Sequence, residues 1–239
     1  MDRSIYKRVV MFVIGLFVMT FGIALSTKAD IGTTPISSIP FVLSLISGIG
    51  LYLTTFVFNL LLIGIQILVL RKEFKLISLL QLPTTLIFTL FTKITVDIVA
   101  DWFPQSYMEC WLYSVLSVII LGLGVALVVH SRTTIVPGEG TVLAISIKTR
   151  IQFSKLKVIF DLTNITIAAI ISYLYFGDLI GVREGTVFAA VFALCLYPIQ
   201  EIKHLLCVTE HTQKREDRKT ILCIFLHLCL VFVKLYQDR

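Results

Sequence analysis

Two stretches of the chain combine the residue types that hold polar ligands inside an apolar protein. The first is Lys28-Ala-Asp-Ile-Gly-Thr-Thr-Pro35, followed by Ser37 and Ser38. The second is Ser131-Arg-Thr-Thr-Ile-Val-Pro-Gly-Glu-Gly140, followed by Thr141. Each places a proline at the start of a short apolar segment. Proline is pre-organised for the first helical position, where its missing N–H costs nothing. Free backbone N–H groups and the helix dipole at such a start favour an anion. Gly138 and Gly140 let the backbone bend or approach a ligand. These features make Thr33, Thr34, Pro35, Ser37, Ser38, Pro137, Gly138, Glu139, Gly140 and Thr141 a candidate substrate-binding set. An ordinary interfacial loop with a Pro/Gly turn explains the same residues equally well.

Ionisable groups within apolar segments are costly, so each is a candidate for function. Asp161 lies just inside an apolar run, Glu139 sits at a half-helix opening, and Arg183 and Glu184 open the last run of the second half. Lys28, Asn59 and Gln81 join them from the first half. A desolvated carboxylate needs a cation partner. Arg183 is the expected one, because it aligns with Gln81 in the repeat described below. The result is an expected cluster of Glu139, Asp161 and Arg183, with Glu184 adjacent. The competing reading makes Arg183 and Glu184 locally paired interfacial caps and Glu139 a turn residue.

Other chemistry has less support. The histidines His130, His204 and His227 lack metal-ligand spacing. The cysteines Cys110, Cys195, Cys207, Cys223 and Cys229 lie in or beside apolar segments with no CxxC pair, as packing residues do. No GxSxG, HExxH or Walker motif is present, which argues against ATP-driven transport and weakly against an enzyme. No cofactor or metal is expected.

Composition says what must position these residues. The chain is 57% hydrophobic and only 15% charged, with a mean hydropathy of +0.93. A chain of 239 residues cannot hide that much apolar surface in a water-soluble core, so lipid is the expected solvent. The net charge of +6 comes from short basic clusters between apolar runs. That pattern reads as topology signalling, not nucleic-acid binding. Lys7 and Arg8 ahead of a long apolar run resemble a signal peptide, but the run Val9–Leu25 is longer than a usual signal core and its end belongs to an internal repeat.

A gap-free offset that carries Pro35 to Pro137 also carries Gly22, Ala24 and Leu25 to Gly124, Ala126 and Leu127. It carries Phe58-Asn59-Leu60 to Phe160-Asp161-Leu162, Ser44 to Ser146 and Thr84 to Thr186. The expected architecture is all-α: a polytopic transmembrane bundle of two inverted repeats, each with three spans and a short re-entrant helix. Repeat 1 covers 7–100, with spans Val9–Ser26, Tyr52–Leu70 and Leu76–Ala100. Repeat 2 covers 109–205, with spans Trp111–His130, Val158–Phe176 and Glu184–Ile202. The short segments Ile36–Ile46 and Thr141–Ile147 reach only partway across a bilayer. A basic linker, 206–219, and a candidate seventh span, 220–236, follow, the whole forming one membrane domain over 1–239.

Charge bias supports re-entrant short segments. With Lys7 and Arg8 in the cytoplasm, Arg71, Lys72 and Lys75 fall inside, as do Lys148, Arg150, Lys155, Lys157, Lys203, Lys214, Arg215, Arg218 and Lys219. The loop Asp101–Glu109 has no Lys or Arg and falls outside, and Arg183 alone is out of place. An odd number of spans per unit turns the second unit upside down, the arrangement of many secondary transporters.

Gly22-Ile-Ala-Leu, Lys28-Ala-Asp-Ile-Gly-Thr-Thr-Pro35, Pro137-Gly-Glu-Gly140, Lys157-Val-Ile-Phe-Asp161 and Arg183-Glu-Gly-Thr186 together resemble the bacterial YitT/YczE-like membrane proteins. The similarity runs from about residue 7 to about residue 205, and the segment beyond Cys207 departs from the pattern. The resemblance implies a multi-pass protein of the bacterial cytoplasmic membrane with a transport function; it implies no particular substrate and supplies no catalytic residue. The expected function is a secondary transporter or permease for a small polar or anionic solute, with its site between the repeats near the bilayer midplane. A non-transporting accessory or assembly protein is the alternative, and an intramembrane enzyme using Glu139 and Asp161 as acid and base is a weaker third. The expected partners are the lipid bilayer and a small-molecule solute, with no nucleic acid and a homo-oligomer left open.

Overall fold

The computed structural model describes residues 3–74, 78, 80–131 and 133–192. The linker 206–219 and the candidate span 220–236 lie outside the described residues, as does the sixth expected span beyond 192. Within them the chain is all-α. Helix α1 is Arg3–Lys28, and a 3-10 turn, Pro35–Ser37, leads into α2, Ser38–Ser47. Then come α3, Leu51–Leu70, and α4, Gln81–Ile98. The second half contains α5, Tyr107–Ser131, α6, Pro137–Thr149, and α7, Phe153–Phe176. A last helix, α8, occupies 184–192.

Four of these helices are long and apolar enough to cross a membrane: Lys7–Lys28 within α1, then α3, α5 and α7. Their outward faces carry Leu61, Leu68, Leu112, Leu123, Ile159 and Leu174, all well exposed. A contiguous apolar exterior of this kind belongs in lipid. The chain is a multi-pass membrane protein.

Several helices differ in length from expectation. The short segment of the second half is Pro137–Thr149, longer at both ends than Thr141–Ile147. Helix α7 begins at Phe153, five residues before the expected Val158. That extension takes in Lys157, which moves from an expected cytoplasmic loop into the helix. Helix α4 begins at Gln81, and the expected start at Leu76 lies outside the described residues. Pro83 then falls in its first turn, where proline is tolerated, so it starts the helix instead of kinking it. The buried residues Thr85, Thr89, Thr92 and Thr95 each return a hydroxyl to the carbonyl four residues earlier, so α4 keeps its polar side chains satisfied within an apolar bundle.

The centre of the bundle is the crossing of α1 and α5. They run antiparallel, with Gly22 beside Ser117 and Leu121, and Gly15 beside Val128. A Cβ on Gly22 would meet the Leu121 backbone nitrogen at 2.7 Å, and one on Gly124 would meet the Met19 backbone nitrogen at 2.5 Å. Two helices approach this closely only where side chains are absent. The two contacts are reciprocal, since the offset that carries Pro35 to Pro137 also carries Gly22 to Gly124 and Met19 to Leu121. Phe12, Leu16, Ile23, Phe88 and Val128 fill the core around the crossing. Each half also packs within itself, α1 and α3 on α4 and α6 on α7, and two further contacts cross between the halves. Helix α2 packs on α7 through Ile39, Val42 and Ala168, and α6 packs on α3.

Candidate functional site

Both short segments open on proline, and these openings meet. Pro35 opens the turn into α2, and Pro137 is the first residue of α6. The two starts touch directly: a Cβ on Gly138 would come 2.0 Å from Ile36 Cδ1. Gly138 and Ile36 are themselves equivalent under the repeat offset. Next to this contact lies a cavity of about 100 Å³, walled by α1 to α8. It has room for a few waters or a small solute.

Much of the cavity wall is made of residues that correspond under the repeat offset. Met19 and Leu121, Ile23 and Val125, and Thr34 and Val136 form equivalent apolar or weakly polar positions. Three polar positions differ in charge: Ser37 corresponds to Glu139, Thr55 to Lys157, and Asn59 to Asp161. The first half therefore contributes neutral hydrogen-bonding groups and the second half contributes charges.

Those charges are organised by α7. Lys157 and Asp161 stand one helical turn apart, both nearly inaccessible, and the Lys157 ammonium donates to Asp161 Oδ1. A buried carboxylate requires such a partner. Glu139, half-buried in the first turn of α6, lines the same cavity. A carboxylate there is favoured by the dipole of its own helix. Thr34 Oγ1 donates to Ser37 Oγ at 2.9 Å, and Ser38 returns its hydroxyl to the Pro35 carbonyl at 2.7 Å. Thr55 is buried, and its hydroxyl has no hydrogen-bond partner among the described residues.

Other expected site residues are used elsewhere. Gln81 forms a reciprocal amide pair with Gln66, both bonds 3.1 Å. Gln66 also donates to the Pro137 carbonyl, and Thr141 Oγ1 shares its single proton between the same carbonyl, at 2.9 Å, and that of Leu62, at 3.2 Å. Gly140 makes room, since a Cβ there would lie 2.9 Å from Gln66 Oε1. These groups clamp the start of α6. Thr33 ties the other broken stretch to the turn before α8 through the Gly181 carbonyl, and its hydroxyl meets that of Ser26. Lys28 donates to the Ala100 carbonyl and lies over the Phe103 ring, at the bundle end.

The expected pairing of Arg183 with the buried carboxylates is not the one formed. Arg183 and Glu184 are about half exposed and 3.7 Å apart, and Arg183 Nη1 donates to the Asp30 carbonyl. The turn before α8 is held against 31–33, where Gly185 donates to the Ile31 carbonyl, and this keeps the guanidinium at the bundle end. Lys157 takes the role assigned to Arg183. Its signal was present in the sequence: lysine and aspartate four residues apart are neighbours on one helix face, although the reverse order is the more favourable one.

Residues 6–193 match the model of a family of unknown function, DUF6198. The chain belongs to this family. No curated protein and no solved structure matches it. The part of this DUF6198 protein matched by the family model contains both proline-started helices and the Lys157–Asp161 pair.

Proposed function

We propose that this chain is a secondary transporter for a small polar solute, resident in a bacterial cytoplasmic membrane with its N-terminus in the cytoplasm. The observation that carries this reading is the cavity lined from both halves, which holds Glu139 and the Lys157–Asp161 pair beside two proline-started helices. Buried charges around a cavity in an apolar bundle mark solute or ion pathways. Residues 7–100 and 109–205 act as two inverted units, with the site at their junction. The reciprocal Gly22 and Gly124 contacts support a two-fold relation, as does the crossed packing of α2 on α7 and α6 on α3. Because α1 and α5 are antiparallel, the axis relating them lies across the helices, in the plane of the membrane. The resemblance to YitT/YczE-like proteins supports the same reading. The helix starts favour an anion and the two carboxylates oppose one, which leaves a small polar solute as the class. Polar groups of both halves converge on one cavity, as a transporter needs and an assembly protein does not.

The test is uptake into proteoliposomes screened against a metabolite library. Uptake of at least one solute is expected. Glu139→Gln abolishes it without impairing membrane insertion, because removing a charge does not hinder insertion. Full uptake by Glu139→Gln would reduce that glutamate to a turn residue, and uptake of nothing in the library would favour the assembly-protein reading.

A further inference from the structure

We infer that the cavity opens toward the end of the bundle where α3 finishes and α7 begins, while the opposite end is held shut by a main-chain latch between residues 30–33 and 181–185. This rests on the transport reading above and concerns the path to its site. In the topology proposed there, the latched end faces outward and the opening end faces the cytoplasm.

The latch joins the two halves backbone to backbone. Gly185 N–H donates to the Ile31 carbonyl at 2.8 Å, and Thr33 N–H donates to the Gly181 carbonyl at 3.2 Å. The Arg183 guanidinium adds a bond to the Asp30 carbonyl, also at 3.2 Å. The two segments interlock as well. Gly32 has a φ of +114°, and a Cβ there would lie 2.3 Å from Thr186 Oγ1 and 2.9 Å from the Arg183 backbone nitrogen. Glycine alone allows that approach with that φ. Main-chain bonds of this kind are not released by turning a side chain; the segments themselves must separate.

The opposite end lies across the length of α7, 24 residues away. The offset that carries Pro35 to Pro137 carries the latch residues there. Ile31 goes to Thr133, Gly32 to Thr134, Arg183 to Gln81 and Gly185 to Pro83. Proline has no N–H, so the counterpart of the bond from Gly185 to Ile31 cannot form. Thr134 brings a side chain where the latch requires none. Gln81 turns to Gln66, away from the broken stretch. Among the described residues, no backbone hydrogen bond joins 133–135 to 80–84.

Side chains hold the halves together on that side. Gln66 reaches the Pro137 carbonyl and Thr141 the Leu62 carbonyl, and both bonds yield to a change of rotamer. Lys148 and Glu73 are 3.7 Å apart with both side chains more than half exposed, a pair that contributes little. The two ends are therefore unequal, and Pro83 against Gly185 is the residue difference that makes them so.

The experiment measures access to the cavity from each end. Val118 lines the cavity near the middle of α5. In a cysteine-free full chain, Val118→Cys is labelled by an impermeant methanethiosulfonate reagent in right-side-out and in inverted membrane vesicles. Gln105→Cys marks the latched end and Lys155→Cys the opposite end in the same vesicles, so the result does not depend on the topology assumed. Labelling of Val118→Cys is expected to be on the order of tenfold faster from the Lys155 end, as one or two extra main-chain hydrogen bonds at the sealed end imply. Adding Gly185→Pro, which copies Pro83 in the first turn of α8, speeds labelling from the Gln105 end by a similar factor. Gly32→Ala is the milder variant and acts in the same direction by pushing a methyl group against Thr186. Equal rates from the two ends overturn the latch, as does faster labelling from the Gln105 end. Labelling from neither end, in a chain that labels once unfolded, overturns it too. The uptake screen judges transport separately. Uptake with equal labelling would uphold transport and remove the latch, whereas one-sided labelling without any uptake would do the reverse.

Discussion

Lys157 stands one turn ahead of Asp161 on α7 and pairs with it inside the bundle, so neither charge faces lipid. Removing Lys157 leaves the Asp161 carboxylate buried without its cation. Lys157→Ala is expected to destabilise the protein by about 3–5 kcal/mol. The double change Lys157→Met with Asp161→Leu is expected to cost much less, because neither charge of the pair is left without the other. Thermal unfolding in detergent compares the two. Equal losses would mean that the pair contributes packing only.

Arg183 gives the opposite expectation. Its guanidinium is about half exposed and its ion pair with Glu184 is loose at 3.7 Å. Exposed pairs contribute about 0–1 kcal/mol. Arg183→Ala should fall within that range by the same measurement. A loss as large as that of Lys157→Ala would show that the guanidinium reaches the buried carboxylates after all.

The α1–α5 crossing predicts a sharp contrast among glycines. Alanine at Gly22 or Gly124 drives a methyl group against the backbone of the facing helix, and overpacking of this kind costs about 1–3 kcal/mol. Gly64 of α3 has nothing within 4 Å of the same added atom. Gly64→Ala should be neutral or stabilise by up to about 1 kcal/mol through helix propensity. Unfolding temperatures of the three single variants decide it, and equal values would disprove the close crossing.

The proposed inverted arrangement predicts sidedness. In a cysteine-free background, single cysteines at Lys7, Lys72, Lys155 and Lys214 should resist an impermeant reagent added to intact cells. Cysteines within 102–107 should react. Lys214 lies outside the described residues, so its test rests on charge bias alone. Strong external labelling at position 72 or 155 would rule out re-entrant short helices.

Much of this fold was legible because lipid imposes a simple code. Long apolar runs gave α1, α3, α5 and α7, and Pro35 and Pro137 marked where the short helices start. Boundaries were less legible where a polar residue belongs to a helix. Lys157 read as one of a basic loop cluster, since hydropathy counts a lysine against a span whether or not a carboxylate waits one turn on. The convergence of Ser37, Thr55 and Asn59 with Glu139, Lys157 and Asp161 needed the tertiary contacts, although the repeat offset pairs these residues once Pro35 is matched to Pro137. Gln66 was missed because its role is to donate to the Pro137 carbonyl at the start of α6, a contact invisible until that helix is in place.

The glycine crossing also bears on how such a chain could arise. Gly22 against Leu121 and Gly124 against Met19 are one contact made twice, the self-complementary kind by which two identical subunits join. If the halves are the inverted units proposed above, a shorter ancestor encoding a single unit would have carried that face already, and two copies inserted in opposite directions would dock through it. Gene fusion would then have freed the two copies to diverge, leaving serine, threonine and asparagine in one and glutamate, lysine and aspartate in the other.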